Sequence, residues 1–292
     1  MLMPDPQSTR PSSHNLFDLA PPDLQWFLAR SDIVLVPIGS LEQHGPHLPL
    51  GTDTITALEV SRRAAELSDV PYAPPLWAGY SPQHLREPGT GTGTITLRAS
   101  TLNDVLYDIA RSLIHHGWNK LIFVNGHGSN VKVIDPVLRR IRYETGAMVA
   151  LYKPYAERYI GMLKDVLENP PAETPGWHAS ELETSQVMAH DAGLVHMDRA
   201  VDTRAHAPAW LPKGFDKADG APDIEFGGYQ YFNFPMDHAE FTETGVIGNP
   251  FRATSQKGDE ALNRFARHLS QAIDAFRPLK FEITNRAYVE RV

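Results

Sequence analysis

The chain contains no cysteine. Disulfides, thiolate metal sites and a cysteine nucleophile are therefore excluded together, although the compartment stays open. No stretch approaches the ~18–20 consecutive apolar residues that a membrane-spanning helix needs. The first thirty residues, MLMPDPQSTRPSSHNLFDLAPPDLQWFLAR, lack the apolar centre of a signal peptide. A cytoplasmic protein is the expectation. No block of basic residues stands out and the net charge is −8, so a nucleic-acid surface is not expected. What is present is ordinary for a globular protein: 42% hydrophobic and 21% charged residues in a chain of 292, long enough to bury a core. Histidine, at 13 residues, matters through its clustering.

Hydrophobic patterning divides the chain. Residues 1–14 are rich in Pro and Ser and read as disordered or draped on the surface, residues 22–30 as a short helix. Ile33 to Ile38 (IVLVPI) is a continuous, β-branched apolar run, the pattern of a strand buried on both faces. Thr54 to Ser68 has helical spacing, with Asp53 or Thr52 as N-cap. Pro71 to Pro75 is a candidate short strand and 79–94 a loop of Gly, Pro and Thr. Thr101 to Gly117 reads as an amphipathic helix, Lys120 to Val124 as a second buried strand, and 130–145 as a helix in which Pro136 must sit in the first turn or form a kink. A third strand at 147–152, a Pro-rich loop at 165–180, a helix at 181–193, an irregular aromatic stretch at 200–250 and a long helix at 256–275 complete the reading. Alternating strands and helices predict a three-layer α/β/α fold with a mainly parallel sheet. One domain over 31–292, preceded by an extension at 1–30, is the expected organisation. Ligands in such sheets bind beyond the carboxyl ends of the strands.

Three polar constellations fall at or near such positions. The first, in GSLEQHGPHLPLGTDT, holds Glu42, His44 and Asp53 directly after the first strand. Carboxylates and imidazoles are natural ligands for Zn²⁺, Mn²⁺ or Fe²⁺ where cysteine is absent, and an aspartate can bridge two ions ~3.5–4 Å apart. The plainer reading is a polar loop with a capping Asp. The second, NGHGSN, follows the second strand and would present His127; an incidental histidine in a tight turn is the plainer reading. The third, HASELETS, carries His178, Glu181 and Glu183. Taken alone it reads best as a helix start with a capping box.

Taken together and in order, LEQHGPHLPLGTD, NGHGSN, HASELETS and GVIGNPFRATSQKG resemble the creatininase family of metal-dependent amidohydrolases, from about residue 30 to 275. The resemblance implies two divalent ions, zinc with manganese or iron as alternatives. Glu42 and His127 would bind one, His44 the other, and Asp53 would bridge them. His178 would transfer a proton at the substrate. Creatinine-hydrolysing members carry a second-metal glutamate where this chain has Ser129; Glu183 is the expected replacement, with Glu181 behind it. They also carry a tryptophan four residues before the catalytic histidine, where this chain has Thr174, so Trp177 is the expected substrate-side aromatic. Both departures point away from creatinine itself. Gly93 and Thr94, in the segment matching the family's PGT loop, would turn backbone N–H groups to the substrate, or else form a flexible turn. Gln43 and Asn125 are candidates for fixing histidine tautomers, His47 for a supporting role, and His238, with Glu240, for the pocket wall. His115 and His116 read as favourable charges at a helix end.

The expected chemistry is hydrolysis of a C–N bond in a small amide, lactam or formamide by a hydroxide held on the metals. The alternatives within the family are a formylamino-pyrimidine deformylase, a cyclic-ketone hydrolase and a small-peptide peptidase; outside it, a non-catalytic metal or ligand binder. The resemblance also implies a homo-oligomer, often a hexamer, for which YQYFNF (229–234) would serve as interface or else as core.

Overall fold

The computed structural model describes residues 10–154, 161–168, 178–217, 219–220 and 223–289. Among them lie six α-helices: α1 (Pro21–Leu28), α2 (Thr52–Ser68), α3 (Ala99–His116), α4 (Asn130–Thr145), α5 (Glu181–Asp191) and α6 (Ser255–Phe276). The central strands are β1 (Ile33–Ile38), β2 (Lys120–Asn125) and β3 (Met148–Tyr152). They run parallel in the order β1-β2-β3, with Val36 opposite Phe123 and Ile122 opposite Ala150. On the free side of β1, Tyr72 and Leu76 make single parallel bridges to Leu35 and Ile38. The expected strand at Pro71–Pro75 is thus a row of isolated bridges, because Pro71, Pro74 and Pro75 bring no N–H to a ladder.

The continuous apolar runs of β1 and β2 are explained by two cores. Val34, Val36, Ile38, Leu121 and Phe123 face α1, α3 and α4. Ile33, Leu35, Ile122 and Val124 face α2 and α6. Since successive strand residues point to opposite faces, only a sheet covered on both sides needs every position apolar. On α6, Ala261, Leu262, Phe265, Ala266, Leu269 and Ile273 recur at helical spacing and form its buried stripe. Gly258 lets α6 meet α5 closely, since a Cβ there would stand 1.8 Å from the Ser185 carbonyl oxygen.

Several boundaries differ from the sequence reading. α2 starts at Thr52 with Gly51 as N-cap, and Asp53 lies inside the first turn. The Thr52 hydroxyl is committed to the Pro49 carbonyl at 2.7 Å, and the Asp53 side chain turns elsewhere. Pro136 sits inside α4, beyond its first turn. The stretch 200–250, read as irregular, contains a second sheet: β4 (Phe215–Asp216), β5 (Asp223–Phe226) and β6 (Tyr229–Asn233), all antiparallel. Its hairpin turns on Gly227 and Gly228, both at positive φ, the pair that a two-residue hairpin favours. All of β6 is exposed, with Tyr231 at 84%, so the core reading of YQYFNF fails for residues 229–233, whereas its last residue, Phe234, packs against the small core of Ile224, Met236, Phe241 and Ile247. Ahead of residue 31, the Leu16 N–H bonds the Tyr72 carbonyl, and Trp26 and Phe27 join the core. No helix among the described residues is long and apolar enough to cross a membrane.

Candidate metal centre

β1 and β2 end side by side, Ile38 opposite Asn125. The loops that leave them, 39–51 and 126–129, therefore start as neighbours. Gly126 makes the junction possible, for a Cβ there would lie 2.1 Å from the Asp53 carbonyl oxygen. That approach sets the first turn of α2 against the end of β2 and brings Asp53 to His127. α5 arrives from the far side and adds Glu183.

The result is two donor sets sharing one carboxylate. Glu42, Asp53 and His127 form one; His44, Asp53 and Glu183 form the other. Asp53 Oδ2 lies 3.0 Å from His127 Nδ1, while Asp53 Oδ1 lies 3.2 Å from His44 Nε2. Glu42 Oε2 is 3.3 Å from His127 Nδ1, and Glu183 Oε2 is 3.7 Å from His44 Nε2. All five side chains are buried. Yet His44 Nε2 and Asp53 Oδ2 make no hydrogen bond. Buried polar atoms almost always find a partner; atoms that converge without bonding one another fit a cation between them. Three carboxylates and two imidazoles suit a first-row divalent ion.

Backbone carbonyls choose the histidine tautomers. His44 Nδ1–H donates to the Glu42 carbonyl at 3.2 Å and His127 Nε2–H to the Tyr80 carbonyl at 3.0 Å. Each thereby turns its other ring nitrogen to the cluster, the nitrogen that would bind a metal once its proton is lost. Ser40 Oγ donates to Glu42 Oε2 at 2.8 Å, and the Ala179 N–H to Glu183 Oε2 at 2.6 Å. Ala179 adopts φ +53, a left-handed conformation that costs an alanine energy; it sits between His178 and α5.

The electrostatics reflect concentrated negative charge. Burial opposes a charge on His44, but Asp53, Glu183 and Glu42 outweigh it and push its pKa up to about 10. Burial likewise opposes charge on His127, and Glu42 and Asp53 raise it to about 9. Burial raises Glu42 to about 7 against the pull of His127. Burial and Asp53 raise Glu183, although His44 pulls the other way. Burial works against the Asp53 carboxylate too, yet His44 and His127 hold it below the usual range. Protons on two imidazoles thus occupy the electrostatic role of cations.

His178 stacks on His44 with ring centroids 4.1 Å apart. A ring nitrogen of His178 lies within 4.8 Å of ligand atoms of Glu42 and His44. Its Nε2–H donates to the Gln43 carbonyl at 2.8 Å, which leaves Nδ1 as the basic nitrogen. Glu181 is elsewhere: it pairs with Lys257 at 2.6 Å and accepts the Glu168 N–H at 2.9 Å. Ser129 accepts from Gln83 Nε2 at 2.8 Å. The Thr94 hydroxyl accepts the Gln43 N–H and donates to the His84 carbonyl, and Gly93 lies against Leu50; both stitch their loop to the 39–51 loop. Trp177 and Thr174 lie outside the described residues. Asn125 donates to the His127 carbonyl at 2.6 Å, and His47 lies 3.0 Å from the Thr184 hydroxyl. His115 and His116 close α3 as expected. His238 is buried beside His178, at 4.7 Å between centroids. His84 went unrecognised in the sequence, yet its Nε2 lies 3.2 Å from Glu42 Oε1. A lone histidine in a Gly/Pro/Thr loop carried no signal for it.

Comparison with known proteins agrees with this geometry. The family model described as creatininase, creatinine amidohydrolase, matches residues 18–273. A creatinine amidohydrolase of Pseudomonas putida is 31% identical over 254 residues, 82% of this chain and 88% of that protein. A 3-dehydro-scyllo-inosose hydrolase of Thermotoga maritima is 27% identical, over 84% and 78% of the two chains. A mycofactocin precursor peptide peptidase of Mycolicibacterium smegmatis is 29% identical, over 84% and 86%. A creatininase solved in its manganese form shares the fold at a TM-score of 0.70 and 28% identity, over 91% of this chain and all of that one. The chain belongs to the creatininase family and has its α/β fold. The relatives are hydrolases of the kinds expected from sequence: an amidohydrolase, a hydrolase of a cyclic ketone and a peptidase.

Proposed function

We propose that this chain is a two-metal hydrolase that cleaves a C–N bond in a small amide, lactam or formamide. The observation that carries the reading is the division of Asp53, one oxygen beside His44 and the other beside His127. In this reading Glu42, Asp53 and His127 hold one divalent ion, and His44, Asp53 and Glu183 hold the second. Glu183 takes the place left by Ser129. Solved relatives in manganese and zinc–zinc forms support zinc or manganese as the ions. Two such ions polarise a carbonyl and acidify water.

The chain's own groups do the rest. The Gln43 carbonyl holds His178 by Nε2–H, so Nδ1 accepts a proton from the attacking water and passes it to the departing nitrogen. Burial, with the neighbouring His44 and His238, keeps His178 well below the ordinary histidine range, which suits a group that must start unprotonated. The Ser129 and Thr174 departures argue for a substrate other than creatinine. The peptidase and cyclic-ketone relatives widen the class to be tested. Assembly as a homo-oligomer, with the exposed aromatic strand β6 in the interface, and cytoplasmic residence belong to the same proposal; light scattering on native protein and cell fractionation test them.

The deciding experiment is metal content per chain by elemental mass spectrometry, before and after dialysis against Zn²⁺ or Mn²⁺. It is followed by turnover of creatinine, formamides, lactams, cyclic ketones and short peptides. Two ions per chain and C–N cleavage are expected. Asp53→Asn should lose metal as well as rate. Full metal content in that variant refutes the shared ligand, and no metal uptake by the native chain refutes the hydrolase reading.

A further inference from the structure

Beside the proposed metal pair, His84, His178 and His238 place a nitrogen each within 4.8 Å of one another, all buried. By proximity alone this is a third metal site. The hydrogen bonds argue otherwise. Gln43 Nε2 lies 3.2 Å from His84 Nδ1 and 3.1 Å from His238 Nδ1. The orientation of the amide is fixed at its other end, where Oε1 accepts the Gly45 N–H at 3.1 Å. Flipping the amide would set its NH₂ against that N–H, donor to donor. An NH₂ group only donates, so both Nδ1 atoms must be acceptors and both Nε2 atoms must carry the proton. For His84, the Nε2–H then points at Glu42 Oε1, 3.2 Å away. A nitrogen that carries a proton has no lone pair for a metal. His44 and His127 show the opposite arrangement, each donating its remote N–H to a carbonyl.

Resting on the hydrolase reading above, we propose that Gln43 is a positioning residue: its side-chain amide holds His84 and His238 as Nε2–H donors, so that His238 binds a second acceptor atom of the substrate and the three-histidine cluster takes no metal. His238 is 2% exposed, and its Nε2 has no hydrogen-bond partner among the described residues. His178, whose Nδ1 is left as an acceptor, packs against it with ring centroids 4.7 Å apart. The pair reads a molecule that offers a hydrogen-bond acceptor, a ring nitrogen or a second oxygen, next to the C–N bond to be cleaved. Gly245 belongs to the device. It lies at φ +79, and a Cβ there would stand 1.9 Å from Gln43 Oε1.

Long-range ¹H–¹⁵N spectra of histidine-labelled, zinc-loaded protein distinguish the tautomers directly, with His84→Phe and His238→Phe for assignment. Both rings should show the Nε2–H pattern, and zinc should saturate without perturbing either. Gln43→Glu replaces a donor with an acceptor and should convert at least one ring to Nδ1–H or to the doubly protonated form. Gly245→Ala, which displaces the amide from outside, should disturb the same two rings. An Nδ1–H pattern in native protein, or loss of the Nε2–H signals as a third zinc binds, overturns the proposal; so do spectra unchanged in Gln43→Glu. These readouts stand whether or not turnover is found, so they fail separately from the hydrolase reading. On whichever panel compound is turned over fastest, His238→Asn should raise KM roughly tenfold, as loss of one buried hydrogen bond does. His238→Gln, whose amide N–H reaches the Nε2 position, should restore it to within about threefold. Equal KM values for the two variants would remove His238 from substrate binding.

Discussion

Loading zinc into the metal-free protein should expel protons, and their number follows from the two raised imidazoles. With pKa values of about 10 for His44 and about 9 for His127, both rings are protonated at pH 7.5 to 8.5. Each must lose its proton to become a ligand. The combined constant for binding two ions should therefore rise about a hundredfold per pH unit, or about 2.7 kcal/mol. Below pH 7 the dependence should steepen, because Glu42, raised to about 7, begins to hold a proton as well. Competition against a chromophoric chelator gives the slope. Calorimetry in buffers of different ionisation enthalpy gives the proton count independently. Release of no protons at pH 8 would refute the charge assignment, since it requires both rings to be neutral before the metal arrives. Stability carries the same sign. A histidine with a raised pKa stabilises the folded state fully below about pH 6.5 and loses that contribution as pH climbs through the folded value. The metal-free protein should lose Tm between pH 7 and 10, and the zinc-loaded protein should not.

Other substitutions separate the roles. Glu183→Gln should weaken the second ion and spare the first, whereas Glu181→Gln should keep both ions and lower Tm by breaking the Lys257 pair; metal analysis and calorimetry tell them apart, and reversal of the two results would exchange the assignments. His178→Ala should retain metal and lose turnover by about 10²–10⁴-fold, the usual worth of general acid–base help; undiminished turnover would remove it from the reaction. Gly126→Ala should destabilise the fold by about 1–3 kcal/mol through overpacking and weaken metal binding, because the new Cβ pushes on the Asp53 carbonyl. Gly146→Ala, at φ +77 with a Cβ that would stand 2.1 Å from the Glu282 carbonyl oxygen, should destabilise comparably without touching metal affinity. Equal metal affinity in the two variants would mean that the β2–α2 junction does not set the site.

The parts of the molecule legible in the sequence are those fixed by short-range pattern. β1 and β2 could be read because a strand covered on both faces has no polar position, and α6 because its stripe recurs at 3.6 residues. Glu42, His44 and His127 were visible because polar groups follow directly on buried strands. Asp53 was legible as a candidate ligand in the polar run after β1 but was also read as a helix cap; spacing cannot tell which way a carboxylate turns at a helix start. Glu181 and Glu183 lie two positions apart, and only tertiary contacts distinguish them: Glu181 pairs with Lys257 from α6, while Glu183 lies beside His44. His84 and His238 gain their meaning from Gln43, 41 and 195 residues away in sequence, a distance at which local pattern is silent. The hairpin of β5 and β6 did carry a signal in Gly227–Gly228, masked by strands too short to show alternation.

The shared aspartate has a mechanical side. The candidate ligands come from the ends of β1 and β2, the start of α2 and the first turn of α5, so ions seated there would tie together segments as far apart in sequence as Glu42 and Glu183. A tie across so long a loop restrains the unfolded chain more than a local one, though the gain grows only by about 0.6 kcal/mol per doubling of loop length. The ions would then act as a clasp as well as a reagent. Chelation should loosen α5 and the loop after β1 before the sheet itself gives way, and a chain that holds its metals should resist proteolysis well beyond the neighbourhood of its chemistry.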